Sequence, residues 1–186
     1  VEEASRAVLT QTAADEALTI IVSKNAWLRA RVGHHLDLTS LSFKEGDSLL
    51  AVLETRSIHP TILLDNHGRS YSVNTADIPT GRGDGVPASS LIDLQDKGQI
   101  VQVLSGALES RYLLSHSGAY GFVASIKDML SRIKAGKAFM TLEAGETLLP
   151  PQRVDEKVPA AQLVLLTNQQ RLLVLPLLEV RQLSKG

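Results

Sequence analysis

One pattern recurs along this 186-residue chain at intervals of about 50 residues, and it restricts the possible folds more than any other feature. Four segments each carry an apolar run that ends in a polar turn. They are Thr19-Ile20-Ile21-Val22 before Ser23-Lys24-Asn25, and Ile62-Leu63-Leu64 before Asp65-Asn66-His67-Gly68. The others are Tyr112-Leu113-Leu114 before Ser115-His116-Ser117-Gly118, and Leu163-Val164-Leu165-Leu166 before Thr167-Asn168-Gln169-Gln170. Short runs of β-branched and large apolar residues closed by turn formers are strands entering hairpins. The turn starts Ser23, Asp65, Ser115 and Thr167 lie 42, 50 and 52 residues apart, and the downstream acids Asp77, Asp128 and Glu179 are spaced by 51 and 51. A period of this size holding about four strands describes a propeller-type blade, whereas a β-sandwich shows short strands without a long-range repeat.

The expected architecture is therefore an all-β, propeller-like array of four-stranded blades, open or truncated. Residues 1–16 lack strand patterning and read as an N-terminal tail or linker. The repeat units span about 17–58, 59–108 and 109–158, with an incomplete unit at 159–186 that reads as truncation. Helix is scarce; the best candidate is Ile126-Lys127-Asp128-Met129-Leu130 with Ser125 as N-cap.

Composition narrows the class. The chain has no cysteine, which excludes disulfide frameworks, thiolate metal sites and cysteine nucleophiles and suits a reducing cytosol. Charged residues make up 21% and the net charge is −1, values that fit neither a disordered chain nor a histone-like polycation. The start, Val1-Glu2-Glu3-Ala4-Ser5-Arg6, is acidic and has no apolar core, so it is not a secretory signal. The most apolar stretch, Leu172 to Leu178, carries Pro176 and is far shorter than the roughly 20 residues a membrane span needs. A soluble protein without a membrane partner is expected.

A search for catalytic chemistry finds little. Gly81-Arg82-Gly83-Asp84-Gly85 is not G-x-G-x-x-G, and Val86-Pro87 follows where a helix should open, so it reads as an inter-strand loop. His34, His35, His59, His67 and His116 lack metal-ligand spacing and read as turn or surface residues. No G-x-S-x-G elbow presents a serine. Trp27, Tyr71, Tyr120 and Phe122 fall in expected strands, where packing is their role, and Asp77, Asp128 and Glu179 suit turns or caps. No catalytic residue, metal site or cofactor is expected.

The basic residues are more informative. Lys127, Arg132, Lys134 and Lys137 face one acid, Asp128, a local charge of +3. Arg29 and Arg31 alternate on one strand and so share a face. Arg69 and Arg171 stand just after their turns. A basic residue followed closely by glycine recurs at Lys44-Glu45-Gly46, Arg82-Gly83, Lys134-Ala135-Gly136-Lys137 and Lys185-Gly186. Basic loops repeated by blade rotation would form a belt that follows a phosphate backbone without reading bases. The residues alone leave a second reading open, a propeller-type protein–protein interaction scaffold.

Several motifs, in order, resemble one family. They are Leu41-Ser42-Phe43-Lys44-Glu45-Gly46-Asp47, Asp65-Asn66-His67-Gly68-Arg69-Ser70-Tyr71, Pro79-Thr80-Gly81-Arg82-Gly83-Asp84-Gly85, Gly121-Phe122-Val123, Arg132-Ile133-Lys134-Ala135-Gly136-Lys137-Ala138 and Gln182-Leu183-Ser184-Lys185-Gly186. From about Ala17 onward the chain is similar to the C-terminal domain of the A subunit of DNA topoisomerase IV. The resemblance implies a β-pinwheel, a propeller variant whose blades exchange strands, that binds and bends duplex DNA on a basic outer rim. It also implies the remainder of the A subunit, and through it the B subunit, as partners. A bacterial cytoplasmic, nucleoid-associated location and a transesterification tyrosine in a preceding domain follow from the same resemblance. The Gln-Arg-Arg-Gly-Gly-Lys-Gly box of the related gyrase subunit is absent; its nearest counterpart is Arg132 to Lys137. Positions expected to contact DNA are Arg132, Lys134 and Lys137, then Arg29, Arg31, Lys44, Arg69 and Arg82, then Arg171, Arg181 and Lys185.

Overall fold

A computed structural model describes residues 14–81, 83–155, 157–158 and 160–186. The first sheet holds β1 (Ala17–Ser23), β2 (Trp27–Val32) and β3 (Leu49–Arg56), and its last strand, β6 (Val86–Pro87), arrives from the next unit, giving the order β3-β1-β2-β6. The second sheet repeats this plan. It holds β4 (Pro60–Asp65), β5 (Arg69–Asn74) and β7 (Ile100–Ser105), and is finished by β10 (Lys137–Ala138) in the order β10-β5-β4-β7. In the third, β8 (Arg111–Ser115) pairs with β9 (Gly121–Ser125) and with β11 (Gln152–Arg153), while Gln182 bridges to Val123 on the far edge. The fourth is a two-stranded hairpin, β12 (Gln162–Leu166) with β13 (Leu172–Pro176). The blades thus exchange strands.

The four expected hairpins are present, each with the same local solution. One residue late in each turn adopts a left-handed backbone: Ala26 (φ 58°), Gly68 (φ 79°), Ala119 (φ 65°) and Gln170 (φ 61°). Glycine occupies this place only at 68, where any Cβ would collide with the Met140 carbonyl. The expected helix exists as α1 (Ile126–Met129), and the Asp128 carboxylate accepts from the Ser125 backbone N–H (3.0 Å) and hydroxyl (2.5 Å). Asp77 and Glu179 are the last residues of short 3-10 turns at Thr75–Asp77 and Leu177–Glu179, so the three periodic acids share a place after the returning strand, while the side-chain cap is made by Asp128.

Strand alternation divides the core into two layers. Leu63, Tyr71 and Val73 of the second sheet pack on Ile20, Val22, Leu28 and Ala30 of the first. Ile62 and Leu64, on the opposite face of β4, pack with Leu104 on Leu114, Phe122, Ala124, Phe139 and Met140. The fourth hairpin contributes to neither cluster, and Val164, Leu166, Leu172 and Leu173 stay exposed. Tyr71 and Phe122 are fully buried as expected, whereas Tyr120 precedes β9 and is exposed, so it is not a core residue.

Candidate nucleic-acid interface

The segments that cross from one unit to finish the preceding sheet carry much of the chain's candidate basic set. The first is sewn to β2: Ala30 N–H donates to Pro79 O (2.8 Å), and Ala88 N–H donates to Ala26 O (2.8 Å). The second follows α1. Ser131 N–H donates to Ser72 Oγ (2.8 Å), Ser70 Oγ donates to Met129 O (2.6 Å), and the N–H groups of Phe139 and Met140 both reach Gly68 O. The third runs along β9, where Val123 N–H donates to Arg181 O (2.9 Å) and Leu183 N–H to Val123 O (2.9 Å). Arg132, Lys134 and Lys137 therefore ride on the second crossing segment, and Arg181 and Lys185 on the third. Glycine is required where these segments press on the returning strand. A Cβ at Gly136 (φ 65°) would stand 2.6 Å from Ser70 O, and one at Gly85 or Gly186 would strike Leu28 or Phe122.

Beside the second crossing lies an open groove of about 670 Å³, whose lining includes Ser72, Asn74 and Asp77 from β5 and the turn after it, Ser90, and Lys127, Arg132 and Lys134 from α1 and the crossing. Lys127 is neutralised by Glu109 at 2.9 Å, and Asp77 accepts from Asn74 Nδ2 at 3.0 Å. Arg132 and Lys134 are exposed, and among the described residues their side chains have no hydrogen-bond or ion-pair partner. They are the groove's free positive charges. Lys137 is different: its Nζ donates to Asp128 O at 2.6 Å, and burial pushes its pKa below the ordinary lysine value. The cluster of +3 expected from composition is thus reduced, in the fold, to two uncommitted cations.

The other expected positions separate into free and engaged. Arg29 is 4% exposed and donates to Gly83 O (3.3 Å) and Ser42 O (2.7 Å), so it cannot present a cation to solvent; the strand face it shares with Arg31 is covered at its position. Arg31, nearer the strand end, is half-buried. Arg69 is half-buried and donates to Ala135 O (2.8 Å) and Gly136 O (3.3 Å). Lys44 is exposed, with Nζ 3.2 Å from the centre of the Trp27 ring. It lies in the turn before β3, on no crossing segment, so it is not equivalent to the glycine-flanked basic sites at 134 and 185. Arg171, Arg181 and Lys185 are exposed. Arg171 does match Arg69: each N–H donates to the side chain four residues back, Thr167 Oγ1 (3.1 Å) and Asp65 Oδ1 (2.8 Å). Arg82 lies outside the described residues. His116 is buried against Glu146 (Nδ1–Oε2 3.1 Å), contrary to a surface placement.

Sequence reasoning missed the groove wall at Ser72, Asn74 and Ser90. These residues meet Arg132 and Lys134 only through strand exchange, and neither run of residues marks the other. Among the described residues no group of histidines and carboxylates could hold a metal ion, and no helix is long and apolar enough to cross a membrane.

The A subunit of DNA topoisomerase 4 from Neisseria gonorrhoeae is 50% identical over 194 residues, covering 100% of this chain and 25% of that protein. Its counterpart from Escherichia coli K12 is 32% identical over 171 residues, covering 92% of this chain and 22% of that protein. The solved structure of the E. coli ParC C-terminal domain matches with a TM-score of 0.84 at 32% identity, covering 92% of this chain and 69% of that one. The chain belongs to the family of topoisomerase IV A subunits. Within that family it corresponds to the C-terminal domain, and it spans about a quarter of the length of the curated relatives it matches. The DNA gyrase A C-terminal domain shares the fold, with a TM-score of 0.68 at 18% identity over 92% of this chain and 58% of that one. The array of small antiparallel sheets in this topoisomerase IV domain is a β-pinwheel. No family model matches the chain.

Proposed function

We propose that this chain is a non-catalytic accessory DNA-binding domain of a type IIA topoisomerase. It holds duplex DNA through its phosphates, bends it, and helps the enzyme choose among DNA geometries. Its partners are duplex DNA, the remainder of the A subunit, and through it the B subunit, in the bacterial cytoplasm at the nucleoid. The observation that carries this reading is the pair Arg132 and Lys134, exposed and uncommitted at the lip of a groove on a crossing segment. Cations without internal partners release counterions when they meet phosphate, and this gives sequence-independent, salt-sensitive affinity. Arg171, Arg181 and Lys185 extend the same chemistry to the later units.

The test is binding to a random-sequence duplex of about 40 base pairs across a salt series. Affinity should fall steeply with salt, and Arg132→Ala with Lys134→Ala should reduce the slope by about 1.8, at roughly 0.9 per phosphate contact. Absence of binding by the wild-type chain at low salt would remove the proposal. A scaffold reading has one observation in its favour, the apolar surface of the fourth hairpin with Leu166 73% and Leu172 63% exposed. Salt-insensitive capture of a protein partner through that hairpin, without duplex binding, would support it instead.

A further inference from the structure

Two arginines stand within the sheets and yet reach the loops that carry the candidate cations. Arg29 on β2 donates from Nη2 to Ser42 O (2.7 Å) and from Nη1 to Gly83 O (3.3 Å), and its guanidinium lies 5.2 Å from the centre of the Phe43 ring. Arg69 on β5 donates from Nη2 to Ala135 O (2.8 Å) and Gly136 O (3.3 Å). Every acceptor is a backbone carbonyl. Each also flanks basic residues in sequence: Lys44 lies two residues past Ser42, Arg82 precedes Gly83, Lys134 precedes Ala135, and Lys137 follows Gly136. At Arg29 two nitrogens of one planar guanidinium hold two carbonyls in a fixed fork that a compact ammonium or an aromatic ring does not offer, and at Arg69 the long guanidinium reaches both carbonyls from Nη2.

The internal repeat shows what the fold itself needs at these places. Counted from the left-handed turn residue, Arg29 aligns with Tyr71 and Phe122, and Arg69 aligns with Trp27 and Tyr120. Within the first three units, aromatic side chains thus fill the equivalent positions. The crossing glycines pack on Tyr71 and Phe122 as Gly85 packs beside Arg29. Bulk at these points belongs to the sheet; the hydrogen-bonding fork is an addition. Resting on the DNA-binding reading above, we propose that Arg29 and Arg69 are positioning residues, which fix the loops flanking Lys44, Arg82 and Lys134 and touch no phosphate themselves.

The test uses the whole 186-residue chain. Arg29→Phe and Arg69→Tyr borrow the aromatic type of the chain's own repeats, and Arg29→Lys and Arg69→Lys keep the charge on a compact ammonium without the guanidinium. Each is measured for duplex binding across a salt series and for backbone amide exchange at the hydrogen-bonded N–H groups of the same loops, Asp47, Gly81 and Ala88 for Arg29 and Gly136, Phe139 and Met140 for Arg69. All four should melt near the wild type while exchange in the corresponding loop rises by about tenfold. Duplex affinity should fall by roughly fivefold, and the salt slope by about 0.9 for each loop cation taken out of register. The proposal is overturned if the lysine variants keep wild-type affinity and slope, because charge alone would then suffice, or if the loops exchange no faster. Should an aromatic variant fail to fold, the lysine variant decides the same question. Failure of the wild type to bind duplex would remove the DNA-binding reading, and this proposal with it; wild-type binding with unaltered variants would remove the positioning role alone.

Discussion

At Asp65 a single buried carboxylate closes the second hairpin. Its Oδ1 accepts the N–H groups of His67 (2.9 Å) and Arg69 (2.8 Å), and its Oδ2 accepts the Tyr71 hydroxyl (3.0 Å), all with no solvent exposure at Asp65. Asp65→Ala removes the acceptor of three donors, of which the Tyr71 hydroxyl is the fully buried one, and at 1–3 kcal/mol for a buried orphan with smaller losses at the two part-buried N–H groups, a loss of about 3 kcal/mol is expected. A urea titration measures it, and Asp65→Asn, which keeps an acceptor oxygen, should lose less. Two glycines give a second comparison. Gly46→Ala places a methyl in open space at φ 76° and should cost about 1 kcal/mol, the left-handed penalty alone. Gly136→Ala adds a collision with the Ser70 carbonyl and should cost at least about twice as much in the same titration. Single residues were unevenly legible. Asp65 announced itself as a turn former, but alternation placed Arg29 and Arg31 on one face without telling which part of that face is covered. The cover over Arg29 comes from Ser42 and Gly83, which lie on other segments.

Elements that close locally could be read from the sequence. Every hairpin joins strands separated by three or five residues, so apolar runs, turn residues and period were enough to place all four, and Ser125 with Asp128 marked α1. The crossing strands could not be read, because Val86–Pro87 and Lys137–Ala138 are two residues long and have no periodicity to detect. Only their setting makes them strands: a glycine that fits against Leu28 or Ser70 and an open edge on β2 or β5. This difference in closure predicts a hierarchy of opening. The outer strands lock the hairpins of the first two sheets, whereas β12 and β13 pair only with each other, and an isolated two-stranded hairpin is marginal in water. Amide exchange should therefore be fastest by at least about tenfold in residues 162–175 relative to β1 and β4. Equal protection across the four hairpins would mean that the last one is held by something other than its own ladder.

For the whole molecule the relevant quantity is the placement of charge, because the sum is only −1. Nineteen basic residues against twenty acidic ones give no net attraction to DNA, so affinity must come from cations that the fold leaves uncommitted. Among the described residues of the crossing segments these are Arg132 and Lys134 on the second, and Arg181 and Lys185 on the third. The two pairs share no hydrogen-bond partner and sit on different sheets, so under a continuous phosphate path their contributions should add. Arg132→Ala with Lys134→Ala, and Arg181→Ala with Lys185→Ala, should each lower the salt slope by about 1.8, and the quadruple variant by about 3.6. Measuring log affinity against log salt for the four proteins separates two geometries. Additive slopes mean that one duplex runs past both crossings and that strand exchange sets the spacing of its contacts. A silent second pair confines the duplex to the groove beside the second crossing, where a bend spanning several blades has no purchase.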